Sequence, residues 1–206
     1  MTQRHQPPTI TGRRTLVPGP KYSYEELTIR SSSGEERKRP IVQHPGAVVV
    51  LPILDDGRLV FIRNFRTAVE SAGAWVLEFC AGTLDVPGED PVDAAARELI
   101  EETGYSATAI TPMLIGDAES SAGYFYTTPG LTSERMFPFL ATGLTHVGQH
   151  LEPDETIELV FMSPAEAWTA VDQGGTATGG RAGRTLMDAK SIVALTLATR
   201  RGLVRI

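Results

Sequence analysis

Apolar residues fall along this chain in short unbroken runs separated by turn signals, and in one stretch at helical spacing. Ala47 to Leu54 is a continuous apolar run, Asp55-Asp56-Gly57 a turn, and Arg58 to Phe65 its partner. Runs of this length predict strands buried on both faces, and Trp75 to Ala81 predicts another. Upstream, Lys21 to Arg30 alternates loosely before Ser31-Ser32-Ser33-Gly34, so a hairpin whose second strand begins near Glu36 is expected. Between Pro91 and Thr103 the period becomes helical, with Val92, Ala95, Ala96 and Leu99 sharing one face. Asp90 suits the N-cap, Pro91 the first turn and Gly104 the stop. Strands are predicted over Thr108 to Ile115, Arg135 to Ala141 and Ile157 to Met162, and helices over Pro164 to Gln173 and Met187 to Arg200. The sum is an α+β fold.

With 206 residues and 41% hydrophobic content, the chain can bury a sizeable core as one domain with an appendage. Residues 1–20 are polar and proline-bearing and are expected to form a loose tail, residues 21–42 a β-hairpin extension, and residues 43–206 the main domain. The tail lacks the apolar segment of a secretion signal. No run approaches the length of about eighteen apolar residues needed to span a membrane. The single cysteine, Cys80, cannot form an internal disulfide, which is compatible with the cytoplasm, the expected location. Nineteen basic against twenty-five acidic residues give a net charge of −6, which disfavours non-specific nucleic-acid or anionic-membrane binding. A polyanionic ligand must then be received by local charge or metal. Residues 174–184 are glycine-rich but lack the P-loop pattern, and are expected to form a flexible loop.

The predicted helix carries Arg97, Glu98, Glu101 and Glu102. Spaced three and four apart, the glutamates are expected to project together, roughly opposite the apolar face. Like charges at this spacing cost about 0.2–0.5 kcal/mol per pair, and carboxylates near a helix C-terminus oppose its dipole. A compensating cation is expected. Mg²⁺ fits, because it takes oxygen ligands, one or two carboxylates together with substrate phosphates and water. A solvated acidic face is the ordinary fate of such a cluster, so these three residues alone do not decide the matter.

The longer string does. Gly82, Glu89, Arg97, Glu98, Leu99, Glu101, Glu102, Gly104 and Tyr105 resemble, in order, the signature of the Nudix hydrolases. Six residues rather than five separate Gly82 from Glu89, and Tyr105 stands at the final aliphatic position. The resemblance implies a Nudix α/β/α sandwich, a mixed sheet between helices, from about His44 onward. It also implies Glu98 and Glu102 as the foremost metal ligands, with Glu101 as a further ligand or catalytic group and the main-chain carbonyl of Ala81 completing the set. Arg97 would orient the glutamates through charge-assisted hydrogen bonds. Glu89 would either reach outer-sphere water or help to hold the loop. The implied cofactor is Mg²⁺, with Mn²⁺ as the alternative.

A second segment, Thr128-Pro129-Gly130-Leu131-Thr132-Ser133-Glu134-Arg135, resembles a loop of the ADP-ribose pyrophosphatase branch, where a glutamate acts as base or extra ligand. This implies a catalytic Glu134 and a substrate-facing Gly130, on a turn fixed by proline and glycine. Twenty-three residues separate Tyr105 from Pro129, more than the branch leads one to expect, so Asp117 to Gly123 is expected to reshape the pocket. Arg66 closes a strand, and its planar fork suits a phosphate or a base edge. Glu78 is a strand carboxylate among apolar neighbours and needs a partner. Both resemble substrate-binding positions of the branch, with Asn64 in the place of a glutamine.

His44, His146 and His150 show no metal-site spacing, and Tyr22, Tyr24 and Trp75 are read as packing residues. The implied activity is metal-dependent hydrolysis of a nucleoside diphosphate sugar, with ADP-ribose first and GDP-mannose or UDP-sugars next. A non-catalytic nucleotide sensor of the same fold is the rival. The branch also implies a homodimer formed through residues 21 to 42.

Overall fold

The structure, a computed structural model, describes residues 7–72, 75–116, 122–151, 153, 155–174, 176–177 and 184–205. Its elements run β1 (Thr9–Val17), β2 (Ser23–Arg30), β3 (Glu36–Gln43), β4 (Ala47–Pro52), β5 (Leu59–Phe65), a 3₁₀ helix (Thr67–Ala72), β6 (Trp75–Glu78), β7 (Ala81–Thr83) and α1 (Pro91–Thr103). Then follow β8 (Tyr105–Pro112), β9 (Phe125–Tyr126), β10 (Arg135–His146), β11 (Ile157–Met162), α2 (Pro164–Asp172), β12 (Thr176–Ala177), β13 (Arg184–Met187) and α3 (Ala189–Arg200). Among the described residues, no helix is long and apolar enough to cross a membrane. The chain divides into two units, Met1–Gly46 with Tyr126–Arg135, and Ala47–Phe125 with Met136–Ile206.

The first unit is built on an antiparallel sheet in the order β1-β2-β3. The expected hairpin is present, with β3 beginning at Glu36. The loose tail is corrected: Thr9–Val17 pairs with β2 along its length. Ile10, Thr11, Thr15 and Val17 are β-branched, and cross-strand pairs Arg13–Glu25 at 2.5 Å and Arg14–Glu26 at 3.2 Å add to the ladder. The loop after β9 is anchored to β3. Val42 donates its N–H to the Leu131 carbonyl at 2.9 Å, and Ser133 donates its own to the Val42 carbonyl at 3.0 Å.

In the second unit, β4 explains the layering. Two mixed sheets run β7-β4-β10-β8 and β11-β5-β6-β13-β12, with β4–β10 and β6–β13 parallel. Every residue of β4 is buried, but alternate side chains enter different cores. Val48 and Val50 pack with Ala94, Ala95 and Leu99 of α1 and with Phe137 and Phe139. Val49 and Leu51 pack with Phe61, Phe79 and with Ala194, Leu195 and Ala198 of α3. Helices thus cover opposite faces, the expected α/β/α arrangement. β8 starts at Tyr105, β10 extends to His146, and β6 and β7 replace the single strand expected through Ala81. Thr176–Ala177 pairs with β13, so strands occupy part of the stretch expected as a flexible loop; residues 178–183, and Asp117 to Ser121 of the expected insertion, lie outside the described residues.

Helix α1 has the predicted ends. The Asp90 carboxylate accepts from Val92 N–H at 3.0 Å, and Gly104, at φ 71°, donates to the Ile100 carbonyl at 2.8 Å. The last carbonyls are also capped: Gln149 Nε2 donates to that of Glu102 at 2.6 Å and His150 N–H to that of Glu101 at 3.0 Å. A Cβ at residue 104 would lie 2.8 Å from both Gln149 N and the Gly148 carbonyl carbon. Gly104→Ala therefore combines left-handed strain with a backbone clash and is expected to cost about 2 kcal/mol or more. Denaturant unfolding checks this; a loss below about 0.5 kcal/mol would show that neither effect operates.

Candidate active site

The buried face of α1 is formed by Ala94, Ala95, Leu99, Glu102 and Thr103. Two expectations change here. Ala94, not Ala96, is buried, and Glu102 lies within the apolar side of the helix, 3% exposed, instead of on the face opposite it. Strand β7 accounts for it, because the Ala81 N–H donates to Glu102 Oε2 at 2.8 Å. A polar group is carried into the core by a main-chain partner.

Arg97 organises the other carboxylates. Its Nε and Nη2 form a fork on Glu89 at 3.0 and 3.1 Å, while Nη1 donates to Glu98 Oε1 at 2.6 Å and to Glu101 Oε2 at 2.9 Å. The Glu89 hydrogen bonds, then those of Glu98 and Glu101, hold its pKa above the usual arginine value. Glu89 thus holds the loop before α1 to the helix through Arg97, the second of its two expected uses. The three helix carboxylates are divided between Arg97 and Ala81. Accordingly, no group of three or more His, Cys, Asp or Glu side chains is gathered as a metal cage among the described residues.

Two carboxylates nevertheless meet at one place. The Glu98 carboxyl lies over Gly82, where a Cβ would fall 1.8 Å from both Cδ and Oε1. Glu102 is bonded to the adjacent residue, Ala81. Burial raises the Glu98 pKa, opposed by Arg97. Burial also pushes Glu102 up to about 8; the Ala81 hydrogen bond opposes this and the charge of Glu98 adds to it. Two carboxylates at one backbone step, of which Glu98 is paired to Arg97 and Glu102 only to a main-chain N–H, form a hard-oxygen donor set that suits a divalent cation such as Mg²⁺ or Mn²⁺.

A second ionic cluster joins β5, β6 and α3. Glu78, 1% exposed, accepts from Arg66 Nε on Oε1 and from Arg66 Nη2 on Oε2, both at 2.8 Å. Lys190 Nζ donates to Glu78 Oε2 and to Asp188 Oδ2. Burial alone would raise the Glu78 pKa, but Lys190 and Arg66 hold it below the usual carboxylate value. Lys190 escaped sequence reasoning. The available signal was a lysine in the first turn of a helix, where the dipole disfavours a cation unless carboxylates receive it.

In the first unit, Glu134 accepts from Thr127 Oγ1 at 2.5 Å, and its N–H donates to Thr132 Oγ1 at 3.1 Å. His44 Nε2 lies 3.8 Å from Glu134 Oε1, and its Nδ1 accepts from Gly46 N–H at 3.1 Å. Gly130 is at the turn, where an added Cβ would meet nothing within 4 Å. His146 packs on Tyr105 at 5.2 Å, and Trp75 receives Arg63 over its ring at 4.8 Å. Tyr22 and Tyr24 are exposed, contrary to the packing expected of them.

Several known proteins resemble this chain. The NUDIX domain model matches residues 43–178. An ADP-ribose pyrophosphatase of Bacillus subtilis (strain 168) is 34% identical over 79% of this chain and 77% of its own length. A methanol dehydrogenase activator of Bacillus methanolicus is 30% identical over the same shares. Among solved structures, an ADP compounds hydrolase superposes with a TM-score of 0.74 over the whole of both chains at 23% identity, a likeness of fold.

Proposed function

This chain belongs to the Nudix family of hydrolases, and we propose that it cleaves the pyrophosphate bond of a nucleoside diphosphate sugar in a metal-dependent reaction. ADP-ribose, split to AMP and ribose 5-phosphate, is the preferred substrate. The observation that carries this reading is the meeting of Glu98 and Glu102 at Ala81–Gly82. The name of the Bacillus subtilis relative supports the choice of nucleotide.

Glu98 and Glu102 would hold the metal, with Glu101 and the Ala81 carbonyl as further donors. When bound, it supplies charge neutralisation on the phosphates and acidifies water. Arg97 fixes the rotamers of Glu98 and Glu101, and its release of one carboxylate would free a ligand. Glu134 takes the proton of the attacking water, with Thr127 steadying its carboxylate. Arg66 and Gly130 face the substrate. Retention of all three helix glutamates favours catalysis over a sensor.

The protein acts as a homodimer in the cytoplasm. Strand β1 is an edge strand carrying exposed Ile10 and Val17, with Tyr22 exposed beside it, which supports pairing of two copies. A monomer mass by light scattering would remove the dimer from this account.

A product assay across ADP-ribose, GDP-mannose, UDP-glucose, NADH and diadenosine polyphosphates tests the reading. The expected result is a kcat/KM for ADP-ribose at least about tenfold above the others, and turnover abolished by EDTA and restored by Mg²⁺. Turnover that persists in EDTA contradicts metal dependence. Tight nucleotide binding without cleavage of any compound would instead establish the sensor.

A further inference from the structure

We infer that Lys190 is a positioning residue for substrate recognition: acting through Glu78, it fixes the Arg66 guanidinium so that Nη1 is left to bond an oxyanion of the substrate's diphosphate. The inference deepens the hydrolase reading above and rests on it. It brings into the site a helix, α3, that lies beyond the 43–178 segment matched by the family model.

Four charged side chains converge at this point, and three are withdrawn from solvent. The side chains of Glu78, Lys190 and Asp188 are 2%, 12% and 24% exposed, whereas that of Arg66 is 44% exposed. A buried ion network contributes little net stability compared with well-packed apolar groups. What this one does is hold its single exposed member. Nε and Nη2 of Arg66 are both committed to Glu78, and Nη1 makes no hydrogen bond among the described residues. An arginine clamped at two points has lost its side-chain freedom before a ligand arrives, which is the preorganisation that an anion-binding fork requires.

Lys190 makes the clamp rigid from the far side. It shares Glu78 Oε2 with Arg66 and is tied to Asp188, whose other oxygen caps α3 by accepting from Ser191 N–H at 3.1 Å. Ser191 Oγ in turn accepts from the N–H of Phe79 at 2.8 Å, fastening the helix start to the residue after Glu78. Arg66 is within electrostatic reach of Glu102, one of the carboxylates assigned to the metal.

Steady-state kinetics on Lys190→Met, Arg66→Met and the double variant, with ADP-ribose and Mg²⁺, test this. Lys190→Met is expected to raise KM about tenfold with kcat within about threefold, and the double variant to have the KM of Arg66→Met alone. A merely structural lysine would instead lower the active fraction, and so kcat, with KM unchanged. An unchanged KM in Lys190→Met, or KM effects that multiply in the double variant, overturns the inference while the hydrolase reading stands. A wild type that cleaves none of the diphosphates overturns that reading and the inference with it. A wild-type crystal soaked with ADP-ribose asks the same question without a substitution. Arg66 Nη1 within about 3.2 Å of a phosphate oxygen, with Glu78 still clamped, supports the inference; an Arg66 released from Glu78 or directed away from the ligand overturns it.

Discussion

Glu102→Gln is expected to abolish turnover while making the metal-free protein harder to unfold. Glutamine keeps the acceptor for the Ala81 N–H, so the 2.8 Å hydrogen bond and the shape of the core survive. What is lost is a metal-ligand charge, and kcat/KM should fall by roughly 10³-fold or more. The stability gain follows from the 3% exposure of Glu102. Its carboxyl ionises near pH 8 in the folded chain against 4.5 as its ordinary value, so the unfolded state gives up the proton first. The folded state therefore weakens relative to the variant as pH rises from about 4.5, and the difference levels off above about 8. At about 1.4 kcal/mol for each pKa unit, the full gap is on the order of 3–5 kcal/mol, and the melting midpoint should rise by roughly 5 °C or more. Thermal melts in EDTA at pH 5 and pH 8.5 read it directly. Equal midpoints at pH 8.5 would mean that Glu102 is not desolvated in solution; full activity would remove it from the metal site.

Gly82→Ala should show the complementary pattern, a large loss of activity at small cost in stability. The backbone at residue 82 is outside the left-handed region, so alanine fits the chain itself. Its Cβ, however, would occupy the position of the Glu98 carboxyl, 1.8 Å from Cδ and 2.3 Å from Cγ. The obstruction is the end of a flexible side chain, which swings aside for less than about 1 kcal/mol. A displaced Glu98 no longer meets Glu102, and kcat/KM should drop about 10²-fold. Retained activity would show that Glu98 reaches the metal from elsewhere.

Local chemistry decides which parts of this protein were readable from its residues. Helix α1 was delimited at both ends because Asp90, Pro91 and Gly104 act within a turn of themselves, and β11 because its apolar run is short and bounded. Strand β1 was unreadable because its support is remote: Arg13 and Arg14 look like a solvated tail until Glu25 and Glu26 are laid beside them. Helical periodicity assigned Glu102 to the charged face on its residue type, whereas β7 supplies the N–H that draws it inward. Lys190 finds the Glu78 carboxylate 112 positions away, a pairing that exists only once the start of α3 meets the end of β6.

The central claim is that Glu98 and Glu102 hold a divalent metal beside Ala81 and Gly82. Anomalous diffraction from a crystal grown with Mn²⁺ and a nucleoside diphosphate sugar measures it most directly. The account predicts a manganese peak within ligand distance of both carboxylates, with Arg97 still paired to Glu89. Peaks confined to other sites, with Glu98 and Glu102 unligated at full manganese occupancy, would contradict it.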